Sequence, residues 1–243
     1  MYLFLAGLCV WGPANISWAP QTGQTCLPAS AAMVMSSFGQ RIKPQRLAKE
    51  LPMYLDGTSF FSVQNELERR GLETLVFQGG RSELRSALKA GLSVIIALVE
   101  SNSRHAVVVS RLTGCSAAKE RFVVLDPRQK GERLWLPDAL ARQLSAGQML
   151  LAYQKRDRAS LQRSKFPLER AMGENRRYRA SSWIRRARKH TTINPEQLEL
   201  LRRAHQADPC WLVAQERYSQ TAKALKVSPK NYAIGCGSVA PRR

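Results

Sequence analysis

Between Ser93 and Leu125 the chain holds three short runs with almost no polar interruption: SVIIALV at Ser93–Val99, AVVV at Ala106–Val109 and FVVL at Phe122–Leu125. Val and Ile dominate them, and the residues between are polar or charged. Runs this short and this rich in β-branched residues predict buried strands of one sheet rather than helices.

The residues before these runs follow a different period. In Cys26–Phe38 the apolar side chains Leu27, Ala31, Val34, Met35 and Phe38 recur three and four apart, which is one helix face, and Gly39 is a natural stop. Further helices are predicted over Pro44–Leu51 and over Ser62–Arg70, the latter ended by Gly71. Leu72–Phe77 reads as a short strand and Ser82–Ala90 as a helix capped by Ser82 and ended by Gly91. Beyond the central strands, Leu134–Leu136 reads as an edge, Asp138–Leu144 as a helix and Met149–Tyr153 as a last strand. Helices first and clustered strands afterwards predict an α+β domain ending near residue 155.

The 243 residues have room for one full-sized domain and a smaller one, and 44% apolar content excludes a wholly disordered chain. The formal charge is +20, and residues 155–243, with 21 basic against 7 acidic residues, carry +14 of it. A field of that sign attracts phosphate, anionic lipid or acidic protein surfaces. Residues 155–180 read as a basic linker or solvated helix, 181–227 as helical, and 228–243 as a loosely ordered tail. The first eighteen residues form an apolar N-terminal segment whose start, MYLFLAGLCVWG, is shorter than the roughly 18 residues that span a bilayer. It is a candidate partial signal that lacks leading positive charge, with Ala14 and Ala19 as loose cleavage sites. Leu8 before Cys9 argues against a lipoprotein attachment, and no transmembrane span is expected. Export or membrane association therefore stays open beside a cytoplasmic site.

Five cysteines, Cys9, Cys26, Cys115, Cys210 and Cys236, are an odd number without a Cys-x-x-Cys pair or a Cys/His cluster suited to zinc. No metal or organic cofactor is implied. Cys26 stands apart because it opens a helix, where unsatisfied backbone N–H groups and the positive end of the helix dipole lower a thiol pKa. An upstream side-chain amide, with the cysteine's own N–H, can form a two-donor cradle for the oxyanion of an acyl-transfer intermediate. Gln21 and Gln24 are the two amides in place, and Gln24 has little chain with which to fold back over the cysteine. A thiolate attacking an amide also needs an imidazole to protonate the leaving nitrogen. Of the three histidines, His105, His190 and His205, only His105 shares the predicted domain of Cys26. Asp126 ends the next strand, so a hairpin sets it beside His105. Cys115, in the hairpin turn, is expected as an exposed loop thiol.

In order and spacing, QTGQTCLPASAAMVMSSFG, GLSVIIALVES followed by RHAVVV, and VVLDP resemble the double-glycine, bacteriocin-processing type of papain-like cysteine peptidase over about residues 19–153. The resemblance implies that fold, with Cys26 as nucleophile, His105 as base, Asp126 as orienting acid and Gln21 in the oxyanion hole. It also implies a peptide or leader-peptide substrate. One departure is Leu27, where the family usually has Gly. Family relatives can be fused to an ATP-driven exporter; this chain shows no phosphate-binding Gly-rich loop, so an exporter partner would be separate. The other readings are a catalytically silent peptide-binding domain and a basic adaptor for anionic partners.

Asn194–Pro209 resembles the second helix of a tetratricopeptide repeat through Leu201, Ala204, Asp208 and Pro209, and Trp211–Leu225 could open another; a generic helical hairpin is the competing reading. The run Ile184–His190 (IRRARKH) places several cations on one helix, but no nucleic-acid-binding module accompanies it.

Overall fold

A computed structural model of the chain describes residues 9–52, 57–100, 103–144, 147–188, 194–208 and 212–225. The expected tail after residue 227, and the apolar residues before Cys9, lie outside the described residues. The chain divides into two compact units, residues 1–171 and 172–243.

The first unit mixes helices with an antiparallel sheet. The helices are α1 (Cys26–Ser37), α2 (Pro44–Glu50), α3 (Phe60–Arg69), α4 (Arg81–Lys89), α5 (Pro137–Gln143) and α6 (Arg158–Arg163). The strands are β1 (Val10–Trp11), β2 (Glu73–Gln78), β3 (Val94–Glu100), β4 (Ser103–Thr113), β5 (Arg121–Leu125), β6 (Glu132–Trp135) and β7 (Gln148–Tyr153). Their order is β2-β7-β3-β4-β5-β6, with β1 added to β4. Every pairing is antiparallel.

The three apolar runs supply β3, β4 and β5. Strand β4 extends well past the run AVVV, from Ser103 to Thr113. A bulge at Ser110 interrupts the ladder, and pairing of Arg111, Leu112 and Thr113 with β5 carries the strand past the apolar run. Helix α1 is buried continuously from Leu27 to Met35, so it reads as a core helix rather than a one-faced surface helix. It packs against β3, β4, α2 and α3.

Caps shift two helix starts. Helix α3 begins at Phe60, after Ser59 accepts a hydrogen bond from the Ser62 N–H. Helix α4 begins at Arg81 after Gly80 rather than after a Ser82 cap. The Glu83 carboxylate there accepts from the Gly80 N–H (2.8 Å) and from the Ser82 hydroxyl (2.8 Å), while Arg170 donates to its other oxygen (2.7 Å). Burial raises the Glu83 pKa, but these hydrogen bonds outweigh it and hold the group at about 2, against an ordinary 4.5. A depressed folded-state pKa stabilises the fold above the unfolded value, and the contribution is lost as pH falls from about 4.5 towards 2. Glu83→Gln should therefore flatten the acid limb of the thermal-midpoint profile across that window; an unchanged limb would show that Glu83 is not the responsible group.

Cys115 is not a free loop thiol. It forms a disulfide with Cys9, which lies 106 positions earlier. Its loop comes within reach because Val10 and Trp11 pair with Thr113 and Leu112 of β4. Residues 9–18, apolar enough to be read as part of a leader, are thus joined to the sheet by pairing and by a covalent bond.

Residues 155–171 belong to the first unit. A 3₁₀ turn at Lys155–Asp157 leads into α6, and Leu161, Phe166 and Leu168 are buried, Phe166 edge-on to Phe77 with centroids 5.5 Å apart. Three apolar side chains among so many charges suffice to bring the segment onto the domain.

The second unit contains most of α7 (Leu168–Ala187), α8 (Pro195–Ala207) and α9 (Leu212–Ala224) around Ala180, Ile184, Ala187, Leu201, Ala204, Ala214 and Tyr218. Asn194 caps α8 by accepting from the Gln197 N–H, and Pro195 takes the first helical position, where its missing N–H costs nothing. Part of the basic run is engaged within the unit: the Arg186 and Arg203 guanidiniums lie 5.1 and 5.3 Å from the Trp183 ring.

Candidate active site

Cys26 is the first residue of α1. Thr25 precedes it without a side-chain cap; its hydroxyl is turned back to the Thr22 carbonyl (2.8 Å). The first N–H groups of α1 therefore have no capping side chain, and Pro28, two positions on, has no N–H to satisfy. The helix is held to the sheet one turn later, where the fully buried Ser30 hydroxyl donates to the Ala106 carbonyl (3.1 Å). Ala106 follows His105, so this bond fixes the helix start against the strand residue that faces it.

His105 lies within β4, opposite Leu98 of β3. Leu125, the last paired residue of β5, faces Val108, so Asp126 one step on comes level with Val107 and diagonal to His105 on the same face. The side chains meet: His105 Nε2 and Asp126 Oδ1 are 2.8 Å apart, with His105 1% and Asp126 8% exposed. The Arg128 N–H donates to the same Oδ1 (2.8 Å), holding the carboxylate in one orientation.

With Nε2 engaged by Asp126, Nδ1 is left for the thiol; it is buried and makes no well-aligned hydrogen bond. Burial pushes the Cys26 thiol pKa up, but the hydrogen bond and charge of His105, with the backbone amides of Ala106 and Leu27, bring it below the ordinary 9.0. Burial pulls the His105 pKa down, while the bonds to Cys26 and Asp126 and the Asp126 charge carry it above the ordinary 6.5, against a smaller opposing effect of the Arg128 charge. A lowered thiol beside a raised imidazole is the condition for a thiolate–imidazolium pair.

Gln21 is half-buried and its own N–H donates to the Pro127 carbonyl (3.0 Å), so it is anchored next to Asp126. Its carboxamide nitrogen donates to the Gly23 carbonyl (2.8 Å), and its carboxamide oxygen is buried without a partner. Gln24 is exposed. The structure thus gathers Cys26, His105 and Asp126 and ties Gln21 to their loop, while Gln24 faces solvent. Leu27 is 4% exposed. Sequence reasoning missed Ser30, Trp18 and Arg128. Ser30 had one available signal, a lone hydroxyl on an otherwise apolar helix face; the Trp18 indole and the Arg128 backbone N–H had none. Among the described residues no cluster of His, Cys, Asp and Glu could hold a metal ion.

A cysteine at a helix start meets an imidazole that is itself bonded to a carboxylate, within an α+β domain. The sequence profile of the Peptidase C39 family matches residues 17–157, more than half of the chain. The chain belongs to the Peptidase C39 family. Its members are cysteine peptidases of the double-glycine type. Solved structures similar to this Peptidase C39 chain include the peptidase domain of Streptococcus ComA, a bifunctional ABC transporter involved in quorum sensing. It is 14% identical, with a TM-score of 0.49 over 58% of this chain and all of that one. A double-glycine-motif protease from an AMS/PCAT transporter, solved with its leader peptide, is 21% identical with a TM-score of 0.47, covering 59% of this chain and 95% of that one. The C39-like domain of a toxin-secretion ATP-binding protein from Vibrio parahaemolyticus is 15% identical with a TM-score of 0.43, covering 56% and 100%. No curated protein sequence matches the chain. The family assignment stands on the profile match.

Proposed function

We propose that this Peptidase C39 chain cleaves a peptide bond in a peptide or leader-peptide substrate by acyl transfer through Cys26. The observation that carries the reading is that His105 joins the other two groups, bonded to Asp126 at 2.8 Å and interacting with the Cys26 thiol so as to lower its pKa. The Cys26 thiolate attacks the scissile carbonyl carbon. The imidazolium of His105 gives its Nδ1 proton to the leaving nitrogen, then takes a proton from the water that hydrolyses the thioester. Asp126 holds the ring with Nδ1 towards sulfur and stabilises its charged form. The Cys26 N–H and the Gln21 carboxamide, which has a second N–H besides the one spent on Gly23, supply the oxyanion donors. The second unit is read as a docking module for a protein partner, its helices leaving the chemistry to the first.

Alkylation by iodoacetamide, followed at Cys26 by peptide mass spectrometry, tests the pair directly. Cys26 should react at neutral pH as a thiolate. In His105→Ala the apparent pKa should rise to the ordinary 9.0 or above, because burial remains and the partner is gone. A reaction rate at pH 7 that is equal in the two proteins would sink the catalytic reading and leave a silent peptide-binding domain.

A further inference from the structure

The segment from Cys9 to Gln21 is fastened to the β4–β5 hairpin at both ends. At the hairpin turn, Cys9 is disulfide-bonded to Cys115, its carbonyl accepts from the Gly114 N–H (3.0 Å), and Val10 and Trp11 pair with β4. Gly12 then lies so close to β4, at φ +134°, that a Cβ there would run into the Ser110 carbonyl oxygen. The Lys89 ammonium sits 5.4 Å from the Trp11 ring, and farther on the Ser17 N–H donates to the Ser36 hydroxyl (2.8 Å). At the other end of the hairpin the Trp18 indole N–H donates to the Asp126 carbonyl (2.8 Å) and the Gln21 N–H to the Pro127 carbonyl (3.0 Å). One strap thus ties the hairpin turn to the loop that carries the orienting carboxylate, and it ends on the amide assigned to the oxyanion hole.

Strand β1 has only two residues, too few to hold an edge by its ladder alone. The covalent bond is what fixes that end, and Cys115 is exposed, within reach of a soluble reductant. We propose that Trp18 is a positioning residue for Asp126, held in place by the Cys9–Cys115 disulfide, so that the peptidase is fully competent only in its oxidised form. The proposal rests on the peptidase reading. A dithiol reductant transfers two electrons and two protons to the bridge, yielding two cysteine thiols and the cyclic disulfide of the reductant; the strap end is then released and the grip of Trp18 on the Asp126 loop slackens. Cys26 is not part of this bond.

The test uses the full chain, with cleavage of a Gly-Gly peptide and site-resolved alkylation of Cys26, each across pH. Trp18→Phe keeps the ring and deletes the hydrogen bond; Cys9→Ala/Cys115→Ala deletes the bridge. Each should lower kcat about three- to tenfold, the range one lost hydrogen bond spans, with little change in KM. Each should also move the alkaline limb of the rate and alkylation profiles to lower pH, because a loosened Asp126 holds the imidazolium less well. Combining them should cost no more than the larger single loss, since both act through one strap. Dithiothreitol should reproduce the double-alanine behaviour in the wild type, reverse on reoxidation with oxidised glutathione, and do nothing further to the double-alanine protein. A fall in thermal midpoint with both alkaline limbs unmoved would show a purely structural clamp and overturn the proposal. So would a dithiothreitol response that persists without the bridge. Failure of the peptidase reading shows separately, as wild-type Cys26 alkylation that ignores His105.

Discussion

His105→Ala is expected to lower kcat for a Gly-Gly peptide by about six orders of magnitude, to the residue of catalysis that binding and oxyanion donors sustain alone. The imidazole has three tasks in this arrangement: it lowers the thiol pKa, protonates the leaving nitrogen and activates the hydrolytic water. The other described histidine, His205, is itself buried and stacked 5.7 Å from Tyr218. In the wild type the acid limb of kcat/KM reports formation of the Cys26 thiolate and the alkaline limb reports loss of the His105 proton. Free side chains at 9.0 and 6.5 would leave no pH at which thiolate and imidazolium are both the main form; lowering the first and raising the second moves the limbs toward the order that opens a plateau, so the acid limb should lie below 9.0 and the alkaline limb above 6.5. Removing His105 also leaves the Asp126 carboxylate buried without its partner, so Cys26→Ala serves as the companion variant; it should show the same loss with that pair intact. Activity within tenfold of wild type in either variant would exclude the triad.

Gln21→Leu is expected to cost about 10²–10³ in kcat with KM little changed, the loss typical of one oxyanion donor. Its charge-stabilising N–H counts only when negative charge builds on the carbonyl oxygen, so binding of the ground state barely registers it. Leucine retains the bulk, and the backbone N–H that anchors residue 21 to Pro127 is untouched. Gln24→Leu is the control: the side chain is exposed, and its replacement should leave turnover within about twofold. Equal losses from the two variants, or a Gln21→Leu effect confined to KM, would remove Gln21 from the oxyanion hole.

Much of this site was legible in the linear chain because its parts sit at element boundaries. Cys26 opens an amphipathic-looking segment, His105 precedes an apolar run and Asp126 follows one before a proline, so topology alone brings two of them together. The extent of β4 was not legible, since Ser110 and Arg111 break the apolar pattern while a bulge lets the strand resume its pairing with β5 at Arg111. The helix caps were read from side chains, and Gly80 with Glu83 satisfied the same N–H groups another way. Cys115 looked like a free thiol because its partner lies 106 positions away, a distance at which sequence carries no pairing signal.

The amino-acid sequence by itself determined the α+β order of elements, the concentration of positive charge after residue 155 and the candidate nucleophile, because local period, composition and helix-start chemistry are written in adjacent residues. Only the tertiary structure decided which imidazole nitrogen faces sulfur, which glutamine lies against the Asp126 loop and that the first strand is bonded to the hairpin turn. Those outcomes depend on strand register and on hydrogen bonds between residues a hundred positions apart, which form only when the sheet closes around α1.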